Sequence, residues 1–203
     1  MFVSQITQEL RSHGFSLFEG YSQQIPDQVD DLILLSLNTD KETFNIMEIG
    51  FNAGHSAEIF LHHHNTILTS FDIGCHEYVH VAKSFIDKKY PNRHTLIIGD
   101  STETIPKYIK NNKNKKFDLI FIDGGHDYKT AKADINNCFS LAHKDTIVIV
   151  DDTMFILQRH EHNIGPTKAW LEGIYEDKII EIQNKDYCDG RGMSWGEYNV
   201  LPK

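Results

Sequence analysis

Met47-Glu48-Ile49-Gly50-Phe51-Asn52-Ala53-Gly54-His55-Ser56 is the stretch on which the reading of the fold turns. It closes an apolar run, Phe44–Ile49 (FNIMEI), and leads into Ala57–His63, which has the character of a helix. A strand therefore ends at Gly50 and a helix begins near His55, with a GxxxG spacing between them. Glycines at such a junction let the backbone turn sharply and admit close approach, because no Cβ stands in the way.

The same alternation extends outward. Ile67–Phe71 (ILTSF), Thr95–Ile98 (TLII), Phe117–Ile122 (FDLIFI) and Thr146–Val150 (TIVIV) are short, rich in β-branched residues and almost continuously apolar. That is the pattern of parallel strands covered on both faces. Helical stretches lie between them at Tyr78–Lys89, Ser101–Asn111 and Lys129–Ala142. In the last of these, Ala131, Ile135, Cys138, Phe139 and Ala142 share one helical face. The order predicts right-handed crossovers and a doubly wound α/β sheet.

Beyond residue 150 the pattern changes. Pro166 suits the first turn of a helix at Thr167–Tyr175. Lys178–Ile182 (KIIEI) and Glu197–Leu201 (EYNVL) read as two further strands. The polar, glycine-rich segment between them, DYCDGRGMSWG, has no helix pattern, so this pair is expected to be antiparallel. Met1–Leu37 reads as mainly helical, lying over a sheet edge. The expectation is one domain, 1–203, with 1–40 as a helical cap.

Bulk properties narrow the function. The 203 residues carry a formal charge of −9, which argues against a long nucleic-acid footprint. Three dispersed cysteines, Cys75, Cys138 and Cys188, form no CxxC pair, so neither a disulfide framework nor a cysteine zinc site is expected. Reduced thiols suit a cytoplasmic protein. The N-terminus lacks the basic-then-apolar signature of a signal peptide, and no run approaches the roughly 18 apolar residues of a membrane span. A small-molecule substrate is the expected partner, and a homo-oligomer is compatible with the sequence.

Acidic residues stand at the carboxyl ends of successive strands, where open α/β sheets bind ligands. Asp72 ends the second strand and is suited to accept both hydroxyls of a ribose. Asp100 and Ser101 follow the third and could face an adenine. Singly, Asp72 and Asp100 could equally be helix caps. The GxxxG spacing differs from the GxGxxG that seats a dinucleotide pyrophosphate on a helix N-terminus. S-adenosylmethionine has no phosphate and carries a sulfonium cation, which suits the Glu48 that precedes the turn.

The ordered set EIGFNAGHS, FD, GDS and FDLIFIDGGHDY, with an antiparallel strand pair at the end, resembles the class I S-adenosylmethionine-dependent methyltransferases over almost the whole chain. The resemblance implies a Rossmann-like sheet of seven strands with the last inserted antiparallel. It places Glu48, Gly50 and Gly54 at the methionine end of the cofactor and Asp72 at the ribose. Asp100 and Ser101 come near the adenine, and Asn52, Ser56 and Asp123 count among the remaining cofactor contacts.

Asp123 ends the fourth strand and Asp151-Asp152 the fifth. Neighbouring parallel strands lie about 4.8 Å apart. Carboxylates about 5 Å apart repel by roughly 3 kcal/mol per pair at an effective dielectric near 20. A hard divalent ion such as Mg²⁺ relieves that repulsion. The trio resembles the metal site of catechol-type and macrocin-type O-methyltransferases, which implies Asp123, Asp151 and Asp152 as ligands. His126 stands where the catechol-type enzymes have a lysine base. A histidine there can take a proton from an acceptor hydroxyl, with Asp127 as the alternative.

The expected function is therefore O-methylation of a small hydroxylated acceptor such as a sugar, polyol or phenol. Competing readings are a metal-independent methyltransferase acting on protein or nucleic acid, a nicotinamide-dependent oxidoreductase, and a non-catalytic domain that kept the fold. Thr153–Ile164 is expected to cover the substrate, and specificity to lie in Met1–Ile25, Thr153–Ile164 and Asp186–Trp195.

Overall fold

The apolar run before the glycine turn forms β1 (Phe44–Ile49), buried at every position except Asn45. It pairs in parallel with β2 (Thr66–Asp72), which pairs in parallel with β3 (His94–Ile98). The structure, a computed structural model, describes residues 4–19, 25–38, 40–156 and 160–200. The strand order of the seven-stranded sheet is β3-β2-β1-β4-β5-β7-β6, the doubly wound arrangement expected from the sequence. By compactness the chain divides into two units, residues 1–99 and 100–203.

In the first unit, α3 (His55–Leu61) connects β1 to β2 and is buried along its whole length. The helix α4 (Tyr78–Lys89) connects β2 to β3. The N-terminal region holds two helices, α1 (Ile6–Ser12) and α2 (Pro26–Ser36). α1 packs on α3 and α4. Its anchor is Glu58, fully buried in the first turn of α3. The carboxylate accepts from Ser4 Oγ at 2.6 Å, the Gln5 amide at 3.0 Å and Lys89 Nζ at 2.8 Å. A buried carboxylate is tolerated only with partners of this kind.

In the second unit, α5 (Ser101–Asn111) leads to β4 (Phe117–Ile122), and α6 (Tyr128–Phe139) leads to β5 (Ala142–Asp151). β4 and β5 are parallel. Next come α7 (Glu161–Tyr175), β6 (Ile179–Asp186) and β7 (Gly192–Tyr198). β7 runs antiparallel to both β5 and β6, so the inserted antiparallel strand is the last one.

Several boundaries differ from expectation. α6 stops at Phe139, so Ala142, read as the last residue of that helix, instead opens β5. α7 begins at Glu161, so Pro166 lies inside the helix instead of opening it. As the sixth residue of the helix it removes one intrahelical donor, and its ring crowds the turn before it. The DYCDGRGMSWG segment is mostly strand, and the turn shrinks to residues 187–191. Leu201, assigned to the last strand from sequence, lies outside the described residues.

Asp134 on α6 is fully buried, and neither of its oxygens has a hydrogen-bond partner among the described residues. Burial pushes its carboxyl up to about 7; the neighbouring Ser101 hydroxyl opposes the shift, and the charges of Asp100 and Asp127 add to it. Cys75 and Cys188 are exposed and Cys138 is buried, all three as free thiols. Among the described residues no helix is long and apolar enough to cross a membrane.

Candidate active site

The glycine loop is shaped by backbone conformation. Gly50 at φ +93°, Asn52 at +46° and Gly54 at +76° all occupy the left-handed region. A Cβ on Gly54 would lie 2.8 Å from Ile6 Cδ1 and 3.0 Å from Phe51 Cζ, so α1 closes directly on the loop. Thr7 Oγ1 also meets His55 Nε2 at 2.9 Å.

Asp72 ties the loop to the end of β2. Its Oδ2 accepts the Asn52 amide at 2.7 Å and its Oδ1 the Gly74 amide at 2.6 Å. A carboxylate has about four acceptor positions, so two remain for ligand hydroxyls. The expected ribose contact thus has its rotamer set by the backbone.

Glu48 is fully buried at the end of β1. Its Oε1 accepts from Ser56 Oγ at 2.5 Å and its Oε2 from Ser70 Oγ at 2.6 Å. Burial raises its carboxyl to about 7 against the pull of those two hydroxyls. Ser56 sits in the first turn of α3, so the pair braces the loop from below. Asp100 is the N-cap of α5, with Oδ1 accepting the Thr102 amide at 2.8 Å and Thr102 Oγ1 at 2.7 Å. Ser101 is the first residue of that helix.

Within the second unit, Asp123 follows β4 and Asp152 follows β5. The structure brings Asp123 and Asp152 together with His126: one ligand atom from each lies within 4.8 Å of the other two. Asp151, expected as the third carboxylate, is not in that group. His126 Nε2 donates to Asp152 Oδ2 at 3.0 Å. This bond, with the charges of Asp152 and Asp151, raises the His126 pKa against the effect of burial. Burial and the Asp152 charge push Asp151 up. Burial would do the same to Asp152, but the His126 hydrogen bond and the Arg191 charge hold it below the usual range. Asp127 caps α6 by accepting the Lys129 and Thr130 amides.

Three neighbours were not assigned to this cluster from the sequence, although His162 was a candidate substrate contact. Arg191, in the turn between β6 and β7, reaches 3.9 Å from both Asp151 Oδ2 and Asp152 Oδ1. His162, in the first turn of α7, places Nε2 3.9 Å from Asp152 Oδ1. Buried Asn163 donates to the Asp152 carbonyl at 3.0 Å. Gly165 packs so tightly that a Cβ would fall 2.1 Å from the His126 carbonyl oxygen, which seats α7 against the loop carrying His126. The signal for Arg191 was its place in Gly190-Arg191-Gly192, where both glycines admit close contacts. Thr153–Ile164 is only partly a loop, since its last residues are helical and 157–159 lie outside the described residues.

A methyltransferase domain family matches residues 47–153, more than half of the chain. The chain belongs to that family. The match runs from the glycine turn through the acidic pair after β5. Solved methyltransferases share the fold at low identity. One is the O-methyltransferase from Bacillus cereus in complex with S-adenosylhomocysteine, at 17% identity and a TM-score of 0.71, covering 95% of this chain and 88% of that one. Another is the O-methyltransferase TomG from Streptomyces achromogenes in complex with S-adenosylmethionine, at 14% identity and a TM-score of 0.71, covering 96% and 88%. A third is CalS11, a TDP-rhamnose 3'-O-methyltransferase in calicheamicin biosynthesis, at 18% identity and a TM-score of 0.64, covering 96% and 93%. No curated protein matches the sequence. The class I methyltransferase reading of the sequence is thereby borne out, and the oxidoreductase reading is set aside.

Proposed function

We propose that this methyltransferase transfers the methyl group of S-adenosylmethionine to a hydroxyl oxygen of a small acceptor such as a sugar, polyol or phenol. It would act in the cytoplasm as one domain with residues 1–40 as its cap. Support for the acceptor class comes from the cluster of Asp123, His126 and Asp152 and from neighbours that include a sugar O-methyltransferase. The charge of −9 disfavours nucleic acid as the acceptor.

The cofactor supplies a methyl group on a sulfonium leaving group. Asp72 has acceptor positions left for its ribose hydroxyls, and the Gly50–Gly54 turn with Asn52 and Ser56 would seat its methionine end above the buried Glu48. Asp100 and Ser101 stand as the adenine contacts. His126 would accept the acceptor's proton. With Nε2–H committed to Asp152, the remaining nitrogen Nδ1 is the basic one, an arrangement in which a carboxylate orients the base.

Donor chemistry fits a divalent cation, Mg²⁺ or another. Asp152 is buried, and its Oδ1 has no hydrogen-bond partner among the described residues. Asp123 and Asp152 would hold the ion, with Asp151 behind them. Such an ion lowers the pKa of a bound hydroxyl. One observation favours a second reading, metal-independent O-methylation by the His126–Asp152 pair: Arg191 already lends the carboxylates positive charge.

The test is methyl transfer from labelled S-adenosylmethionine to vicinal diols, sugars and phenols, with and without excess EDTA. Asp151→Asn combined with Asp152→Asn should abolish transfer and leave S-adenosylhomocysteine binding nearly intact. Full activity in that variant would overturn the assignment of the cluster. Wild-type activity that survives EDTA would select the metal-independent reading.

A further inference from the structure

The acidic cluster has a cation of its own, delivered by a turn built for the purpose. Gly190 has φ +72°, and a Cβ on it would lie 2.3 Å from His160 Cδ2. A Cβ on Gly192 would lie 2.0 Å from the Thr153 carbonyl oxygen. Between these contacts, Arg191 is held against the end of β5. Asn163 clamps the arrangement by donating to the Asp152 carbonyl at 3.0 Å and the Gly190 carbonyl at 3.2 Å.

The guanidinium stands 3.9 Å from each carboxylate, one terminal nitrogen toward Asp151 Oδ2 and the other toward Asp152 Oδ1. That distance is outside direct hydrogen-bond range. It leaves Asp152 Oδ1 buried and accepting no hydrogen bond from the described residues, with a positive charge 3.9 Å away. The atom is therefore suited to a cation and already faces one.

We propose that Arg191 is a positioning residue that acts as the resident counter-cation of Asp151 and Asp152 and competes with a divalent ion for them. The inference rests on reading the cluster as a cation site and goes beyond it by naming what sets that site's affinity. Arginine keeps its charge at every accessible pH, so its repulsion of an arriving ion cannot be removed by losing a proton. Either the guanidinium withdraws as the ion binds, or the ion binds weakly beside it. The wild-type site is then one of low affinity that stays assembled without metal.

The experiment titrates MnCl₂ into the full chain and reads free Mn²⁺ by electron paramagnetic resonance, with MgCl₂ as competitor. Arg191→Gln should bind Mn²⁺ at least about tenfold more tightly than wild type, as removal of a like charge a few ångströms away requires. Arg191→Lys, which keeps the charge, should stay within about threefold. Arg191→Met repeats the loss of charge with another side chain, so a folding defect peculiar to glutamine does not decide the result. The neutral variants should melt below wild type in EDTA and recover in saturating Mn²⁺. A gain in Tm from Mn²⁺ larger than the gain in wild type at the same concentration separates the proposal from a merely structural arginine, whose loss would leave the metal's contribution unchanged.

Equal or weaker Mn²⁺ affinity in both neutral variants overturns the proposal, while wild-type binding in the same experiment leaves the metal reading in place. Binding by the neutral variants but not by wild type supports the proposal and removes the ion from the wild-type reaction. No binding by any of the proteins overturns the proposal and the metal reading together.

Discussion

Asp134→Asn should make the protein's stability markedly less sensitive to pH. Asp134 is fully buried on α6 with neither oxygen hydrogen-bonded among the described residues, and burial raises its pKa from 3.8 to about 7. Below pH 4 the folded and unfolded chains both carry the proton. Between about 4 and 7 only the folded chain keeps it, so stability declines as pH rises through that window and levels off above the folded pKa. Each pH unit in the window is worth 1.36 kcal/mol. From pH 5 to pH 7, where the folded carboxyl is itself half-ionised, the expected loss is therefore about 2 kcal/mol, or roughly 4–8 °C in Tm for a chain of this length. Asparagine is nearly isosteric and does not titrate. Urea melts of both proteins at pH 5, 6, 7 and 8 isolate the Asp134 contribution, because Glu48, whose carboxyl is raised in the same direction, is common to both. The variant should lose less stability than wild type over that range and exceed it at pH 8. Parallel curves, agreeing within about 0.5 kcal/mol, would refute the claim that a proton is held on Asp134.

Two further substitutions probe the cofactor end. Gly54→Ala places a methyl 2.8 Å from Ile6 Cδ1 at φ +76°, where a Cβ alone costs roughly 1–2 kcal/mol. It should lower Tm by at least about 2–4 °C, and an unchanged Tm would mean that α1 does not press on the loop. Asp72→Ala removes the acceptor for the Asn52 and Gly74 amides together with the expected ribose contact. Calorimetry should show S-adenosylhomocysteine binding weakened by about tenfold or more, as loss of a charged hydrogen bond implies. Unchanged affinity would place the ribose elsewhere.

Most strands were legible because their signal is local. Phe44–Ile49 and Phe117–Ile122 match the observed β1 and β4 residue for residue, since each is a mostly apolar run ended by a glycine turn or an acidic residue. Tyr78–Lys89 and Ser101–Asn111 match as helices, the second with Asp100 as its cap. Pro166 misled because a proline near a helix start does not say how many turns precede it. Asn163 supports the earlier start, through a side chain that bonds back to the His160 amide at 3.1 Å. DYCDGRGMSWG reads as loop because its small and polar residues carry no alternation. It is strand because Met193, Ser194 and Trp195 are buried against β5 and β6.

At the candidate site, the places of Asp123, Asp151 and Asp152 were readable because strand ends in an α/β sheet are predictable positions, and His126 was singled out only by resemblance. That His126 rather than Asp151 joins Asp123 and Asp152 depends on rotamers, which no spacing encodes. Arg191 lies 39 residues from Asp152 in the chain and meets it only through the pairing of β5 with β7. The burial of Glu58 follows from α1 folding back on it, a long-range contact that no local pattern encodes.

The central claim is that the chain binds a sulfur nucleoside as its cofactor. It is tested most directly by thermal-shift titration with S-adenosylhomocysteine, with NAD as the control. Ligand at about 100 times its Kd adds roughly 2.7 kcal/mol, which corresponds to about 5–10 °C here. The account predicts a saturable shift of that size with S-adenosylhomocysteine and none with NAD. A shift with NAD alone, or with neither ligand, would contradict it.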